Sequence, residues 1–152
     1  MLAIYAAGLS TWNLFQAIRR DRRSLGVKVG SVIPTFSTGP PGRVWANIAV
    51  TNLGSRNVTV AALAFELDDG KRLLSVQSDS GREGLEATRL PCTLRDGETA
   101  NLYQSYYGIG HALVTHGHKG KTRITPVCED SAGGVHKGEP WVIDSPMEML
   151  SM

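Results

Sequence analysis

The 152-residue chain is predicted to be mainly β, an antiparallel β-sandwich of about seven strands preceded by one N-terminal α-helix. Three observations predict it. An apolar run from Leu2 to Ile18 stops at Arg19-Arg20-Asp21-Arg22-Arg23, and no later stretch has this character. Residues 44–51 alternate strictly, with Val44, Ala46, Ile48 and Val50 on one side of the pleat and Trp45, Asn47, Ala49 and Thr51 on the other. Turn chemistry then recurs about every ten residues, the spacing of short strands with tight connections. At 41% hydrophobic and 20% charged, the composition is that of a folded domain, and the length allows one domain plus the N-terminal segment. The chain therefore divides into a hydrophobic helix with a basic flank (1–25), a sandwich (26–144) and a frayed tail (145–152).

The first element is the helix. Its seventeen residues, at about 1.5 Å each, reach about 26 Å, just short of a hydrocarbon core about 30 Å thick. Arginine stems can snorkel to cover the difference. A cleavable signal peptide carries its positive charge ahead of the apolar core, and here that order is reversed. Arg19, Arg20, Arg22 and Arg23 flank the run on its C-terminal side, which by the positive-inside rule predicts a single-pass membrane protein with its N-terminus outside and its sandwich cytoplasmic. Membrane lipid is thus one expected partner, met through this helix. Ser10, Asn13, Gln16 and Arg20 form a polar stripe opposite Leu2, Tyr5, Leu9, Trp12 and Phe15. Such a helix can also pack on its own domain, lie in an interface or bundle with copies of itself.

The strands follow in order. Val27–Val29 opens the first, which loses alternation at Gly30-Ser31 and resumes at Val32-Ile33. The strand at 44–51 ends in a turn, Asn52–Asn57, and the next runs from Val58 to Leu67. Its apolar parity switches between Val60 and Leu63, predicting a bulge at Ala61-Ala62 or burial of both faces. Asp68-Asp69-Gly70 makes a hairpin returning through Leu73, Leu74 and Val76. Residues 78–89 read as loop. Arg95-Asp96-Gly97-Glu98 turns the chain between Leu90–Leu94 and a strand through Ala100 and Leu102. Tyr106–Val114 fits a short helix. Two closing strands, 123–128 and 135–143, meet at Ser131-Ala132-Gly133-Gly134, with Pro126 best suited to an edge.

Two of these segments carry a resemblance. Val50-Thr51-Asn52-Leu53-Gly54-Ser55-Arg56-Asn57-Val58-Thr59-Val60 is similar to the V-x-N-x-G-x-x-x-V-x-V segment of bacterial immunoglobulin-like domains, where it joins two core strands. Leu90-Pro91-Cys92-Thr93-Leu94-Arg95-Asp96-Gly97-Glu98 is similar to their later L-P-x-x-L-x-x-G-E segment. With the apolar helix, the chain resembles small uncharacterised bacterial membrane-anchored proteins that join one N-terminal hydrophobic helix to an immunoglobulin-like β-sandwich. The resemblance implies a fold and an address and transfers no catalytic residue. The antibody-type disulfide has no counterpart, because the strands around Val50 and Val60 lack cysteine.

Chemistry-bearing patterns are few. Residues 1–30 carry a net charge of +4 and the remaining 122 a net −2, so the globular part has no basic footprint for nucleic acid. Cys92 and Cys128 show no zinc-ligand spacing and in a cytoplasmic domain stay reduced. Gly120-Lys121-Thr122 lacks the upstream glycine and the strand–loop–helix order of a P-loop. His111, His116 and His118 are the only residues whose spacing suggests a metal, and a glycine-containing loop suits solvated imidazoles better than a rigid ligand set. No nucleophile motif is present, so no catalytic residue, metal ligand or cofactor is assigned. Tyr103, Tyr106 and Tyr107 are candidate interface anchors, with coverage of the core as the structural alternative. The expected function is a non-catalytic membrane-anchored interaction module that binds an unidentified protein or itself. The alternatives are a virion or appendage component assembling through its N-terminal helix and, less favoured, a metal-dependent enzyme using the histidine loop.

Overall fold

A computed structural model describes residues 24–35, 37, 40–74 and 84–152. The apolar run Leu2–Ile18, its arginines and the return of the first hairpin beyond Leu74 lie outside the described residues. Among the described residues no helix is long and apolar enough to cross a membrane.

The described chain is mainly β, with two antiparallel sheets and a single α-helix in mid-chain. Strands β1 (Leu25–Val32), β2 (Trp45–Asn52) and β6 (Thr99–Ser105) form one sheet in the order β1-β2-β6. The other is built on β3 (Val58–Leu67) and β7 (Thr122–Asp130). Each flank of that central pair is shared by two three-residue strands. On the β3 side these are β4 (Arg72–Leu74) and β5 (Cys92–Leu94), and on the β7 side β8 (Val135–Lys137) and β9 (Trp141–Ile143).

Alternation decides what is buried. Ala46, Ile48 and Val50 of β2 join Val27, Ala100 and Leu102 on the inward face of the smaller sheet, and Val60, Leu63, Phe65, Ile124 and Cys128 face them from the larger one in one core. The register of β3 shifts between Val60 and Ala62, so the parity switch in the sequence is a bulge. Gly70 and Gly97, with φ of 81° and 75°, close the hairpin and the β5–β6 turn. On the outward face of the larger sheet, Ala64 and Val127 pair across β3 and β7, yet are only 4% and 1% exposed. The ion pairs Arg72–Glu129 and Lys137–Glu66 run diagonally over that row. Their aliphatic stems exclude water from it.

Alternation is lost at Gly30 and Ser31, which are both exposed, while β1 keeps its pairing with β2 through them, at Asn47 and Ala46. Three expectations need correction. The last closing strand splits into β8 and β9. Gly138 turns away between them and sits so close to β1 that a Cβ there would lie 2.5 Å from the Val27 carbonyl oxygen. Pro126 is buried in the central strand β7, not at an edge. In a strand a residue's N and C=O point the same way, and the Pro126 carbonyl accepts from Gly138 N at 2.9 Å. The missing N–H therefore faces the gap between β8 and β9, where no ladder bond is lost. The third correction is the C-terminal stretch. Residues 145–152 do not fray: Pro146 and Met149 are buried, and Glu148–Ser151 forms a 3₁₀ turn packed on the helix.

Candidate interaction surface

The helix, α1 (Tyr106–Thr115), begins where β6 ends. Ser105 caps it, its Oγ accepting from Gly108 N at 3.1 Å. Ile109 and Leu113, one turn apart, enter the core fully buried. The other end explains the His-Gly-His motif. Gly117, at φ 88°, donates to the Val114 carbonyl while His118 N donates to that of Leu113, the reciprocal pattern of a Schellman cap. The glycine is required by that turn, and His116 and His118 flank a helix stop. Among the described residues no group of three or more His, Cys, Asp and Glu is placed to hold a metal. His111 stacks on Tyr107 at 6.0 Å on the exposed side of α1.

Gly110 fixes the C-terminal segment. A Cβ at this position would lie 2.7 Å from the Pro146 carbonyl oxygen and 2.8 Å from Met149 Cβ, so only glycine allows this approach. The segment docked there forms one wall of an open groove of about 220 Å³. Tyr106 and Trp141 form its aromatic wall, with centroids 5.3 Å apart and planes at 48°. Val142 and Ile143 of β9 run along it, Met149 and Met152 add thioethers, and Asp144 and Glu148 supply the charge. The Tyr106 hydroxyl is hydrogen-bonded to Ser31 Oγ, and Trp141 leans on Phe65 at 6.0 Å, which ties the wall to both sheets. Val142, which lines the groove, is 45% exposed, and Tyr107 and Met147, next in the chain to the lining residues Tyr106 and Glu148, are 48% and 53% exposed. Lys121 Nζ is 3.5 Å from Asp144, with both side chains mostly in solvent.

The three tyrosines thus separate. Tyr106 lines the groove, and Tyr107 follows it on the helix with an exposed ring. Tyr103, opposite Asn47 in the β2–β6 register, belongs to the outward face of the smaller sheet. Sequence reasoning missed Trp141, Asp144, Glu148, Met149 and Met152 as groove residues. The signal available was weak: a tryptophan after Gly-Glu-Pro and a methionine-rich C-terminal stretch, with nothing local to bring either to Tyr106.

A hydrogen-bonded polar cluster lies at the opposite end of β2. Asn52 is fully buried, and its side chain uses three hydrogen bonds. Nδ2 donates to the Arg56 carbonyl at 2.7 Å and the Leu94 carbonyl at 3.0 Å, and Oδ1 accepts from Gly54 N at 3.0 Å. Its backbone also bonds Glu98 and Gly97. Near it, Asp130 accepts from Ala132 N and Gly134 N and meets His136 Nε2 at 3.0 Å. The His136 bond, then the Gly134 amide, hold its carboxyl below the usual carboxylate range against the opposing effect of burial. Burial pushes the Cys128 thiol up to about 12 and raises Cys92 as well, so neither is an activated nucleophile.

No protein-family model matches the chain, and no curated protein matches it significantly. Among solved structures it is similar to a Bordetella pertussis protein given the name ApaA, at 13% identity over 83% of this chain and 97% of that one, with a TM-score of 0.39. It is also similar to a Northeast Structural Genomics Consortium target, SoR45, at 12% identity over 81% and 88% of the two chains, with a TM-score of 0.34.

Proposed function

We propose that this chain is a non-catalytic, membrane-anchored interaction module: an immunoglobulin-like sandwich held at a cytoplasmic membrane face by its N-terminal segment, which binds a protein partner through the groove at α1 and β9. The groove carries the reading. Half-exposed Val142 lines an aromatic recess with a polar border, and half-exposed Tyr107 and Met147 adjoin its lining residues Tyr106 and Glu148 in the chain, the composition of an interface centre more than of a catalytic cleft. The immunoglobulin-like assignment draws support from Asn52, which ties together the two segments that carry the resemblance. The anchor draws support from the Leu2–Ile18 run and the four arginines after it.

The test is photo-crosslinking in intact cells from a benzophenone amino acid at Tyr107, with the same group at Asp96 as the far-end control. A heterologous adduct from position 107 alone, in a membrane fraction, is the expected result. Adducts only between copies of the chain, in a detergent-free soluble fraction, would instead support the assembly alternative. Orientation is read separately: an impermeant thiol reagent should reach Cys92 and Cys128 only after lysis and unfolding. Labelling before lysis places the sandwich outside.

A further inference from the structure

We infer that the groove receives a cationic side chain, an arginine on an extended segment of the partner lying beside β9. This rests on the interaction-module reading and adds the chemistry of the partner. Charge complementarity carries it. Among the described residues the only charged ones lining the recess are Asp144 and Glu148, both acidic. Among the described residues the Glu148 carboxylate has no ion pair, and the exposed Lys121–Asp144 contact is one that solvent screens and a better-placed cation can displace. An acidic segment would meet like charge here, and a wholly apolar one would bury carboxylates without a partner.

The walls select further. Tyr106 and Trp141 present tilted rings at 5.3 Å, and a cation placed over such faces, within about 6 Å of a centroid, is held by the ring quadrupole. Guanidinium suits this better than ammonium, because it is planar, stacks on aromatic faces and is more weakly hydrated, while its edge N–H groups can reach a carboxylate at the rim. The size agrees. About 220 Å³ accommodates one long side chain and falls below the roughly 300–1,000 Å³ usual for small-molecule sites. Finally, among the described residues β9 pairs only with β7, and its Val142 and Ile143 run along the groove. An extended segment carrying the arginine therefore has a strand to lie against, with alternate side chains turned toward the recess.

The experiment uses the full chain in uncharged detergent and two blocked pentapeptides, acetyl-Thr-Val-Arg-Val-Thr-amide and its citrulline counterpart, which keeps the shape and removes the charge. Tryptophan fluorescence follows the titration, and Trp141→Phe identifies the part of the signal that comes from the groove. The expected result is saturable binding of the arginine peptide, about tenfold weaker binding of the citrulline peptide, and a comparable loss for the arginine peptide in Glu148→Gln. Circular dichroism confirms that both variants are folded. Equal affinity for the two peptides, indifference to Glu148→Gln, or no saturation by the arginine peptide would overturn the inference. If these fail while crosslinking from Tyr107 persists, only the cationic occupant is wrong; if the crosslinks fail too, the module reading falls with it.

Discussion

The two ends of β2, about 25 Å apart for a strand of eight residues, solve opposite problems. At its C-terminal end Asn52 is completely buried and its side chain joins two turns through three hydrogen bonds. At its N-terminal end Trp45 pairs with Ser105, the residue that caps α1, and the chain opens into the Tyr106–Trp141 groove with charged groups at the rim. One end is closed and internally satisfied. The other leaves aromatic and carboxylate groups available. Residues that lock turns are therefore expected to govern stability, and residues of the groove to govern binding with little effect on stability.

Asn52→Ala is the strongest way to break this contrast. It would strand the Leu94 carbonyl and the Gly54 amide in a buried site, where each unsatisfied group costs about 1–3 kcal/mol, and would take a partner from the part-buried Arg56 carbonyl. With partial relaxation, we expect a loss of about 3–4 kcal/mol in urea unfolding of the detergent-solubilised chain. A loss below about 1 kcal/mol would mean that water replaces the side chain and that this end is open as well.

Asn52 also marks how far the sequence was legible. Asn-x-Gly announced a turn because its chemistry is local, and the Asp68-Asp69-Gly70 and Arg95–Glu98 turns were legible for the same reason. The reach of the same side chain to Leu94, 42 positions on, is a tertiary contact that no local pattern encodes. Pro126 was misplaced because the rule against central prolines concerns the direction of its missing N–H, which depends on the break between β8 and β9. The groove was the least legible part. Tyr106 was singled out on composition, but Trp141 and Met149 reach it from separate segments, and Gly110, which permits the C-terminal segment to dock, reads in sequence as an unremarkable helix glycine.

Gly110→Ala tests the groove's construction and should have the next largest effect. Alanine gains up to about 1 kcal/mol of helix propensity, but its Cβ would press on the Pro146 carbonyl, a backbone atom that cannot rotate away. Overpacking of this kind costs about 1–3 kcal/mol, so a net destabilisation of about 1 kcal/mol is expected, with faster proteolysis confined to 145–152. A stabilised variant would show that the C-terminal segment accommodates the methyl group by a small shift.

A smaller effect belongs to acid. Asp130 is held below the ordinary carboxylate range chiefly by His136, so the folded state binds its proton less readily than the unfolded chain, whose aspartates titrate near about 3.9. Its contribution is fully present above that value and is lost as pH falls through the lower folded value. Asp130→Asn should therefore flatten the fall in stability below about pH 4 relative to the parent. Measuring the difference between the two chains removes the parallel contributions of Glu66 and Asp69, whose values are also lowered. Identical acid limbs would show that the turn at the closed end does not depend on the charge.

The smallest expected effect is the one that most sharpens the contrast. Glu148 opens the C-terminal 3₁₀ turn, and its side chain makes no ion pair among the described residues, so the fold has little use for its charge. Glu148→Gln keeps size and shape and should leave stability within about 0.5 kcal/mol of the parent, the range of ordinary surface substitutions. Urea unfolding of parent and variant at neutral pH decides it. A loss well beyond that range would mean that the carboxylate holds the turn against α1, making it a structural group like Asn52. A neutral result, alongside a large loss in Asn52→Ala, would separate the end of β2 that keeps the domain folded from the end whose groups are left for a partner.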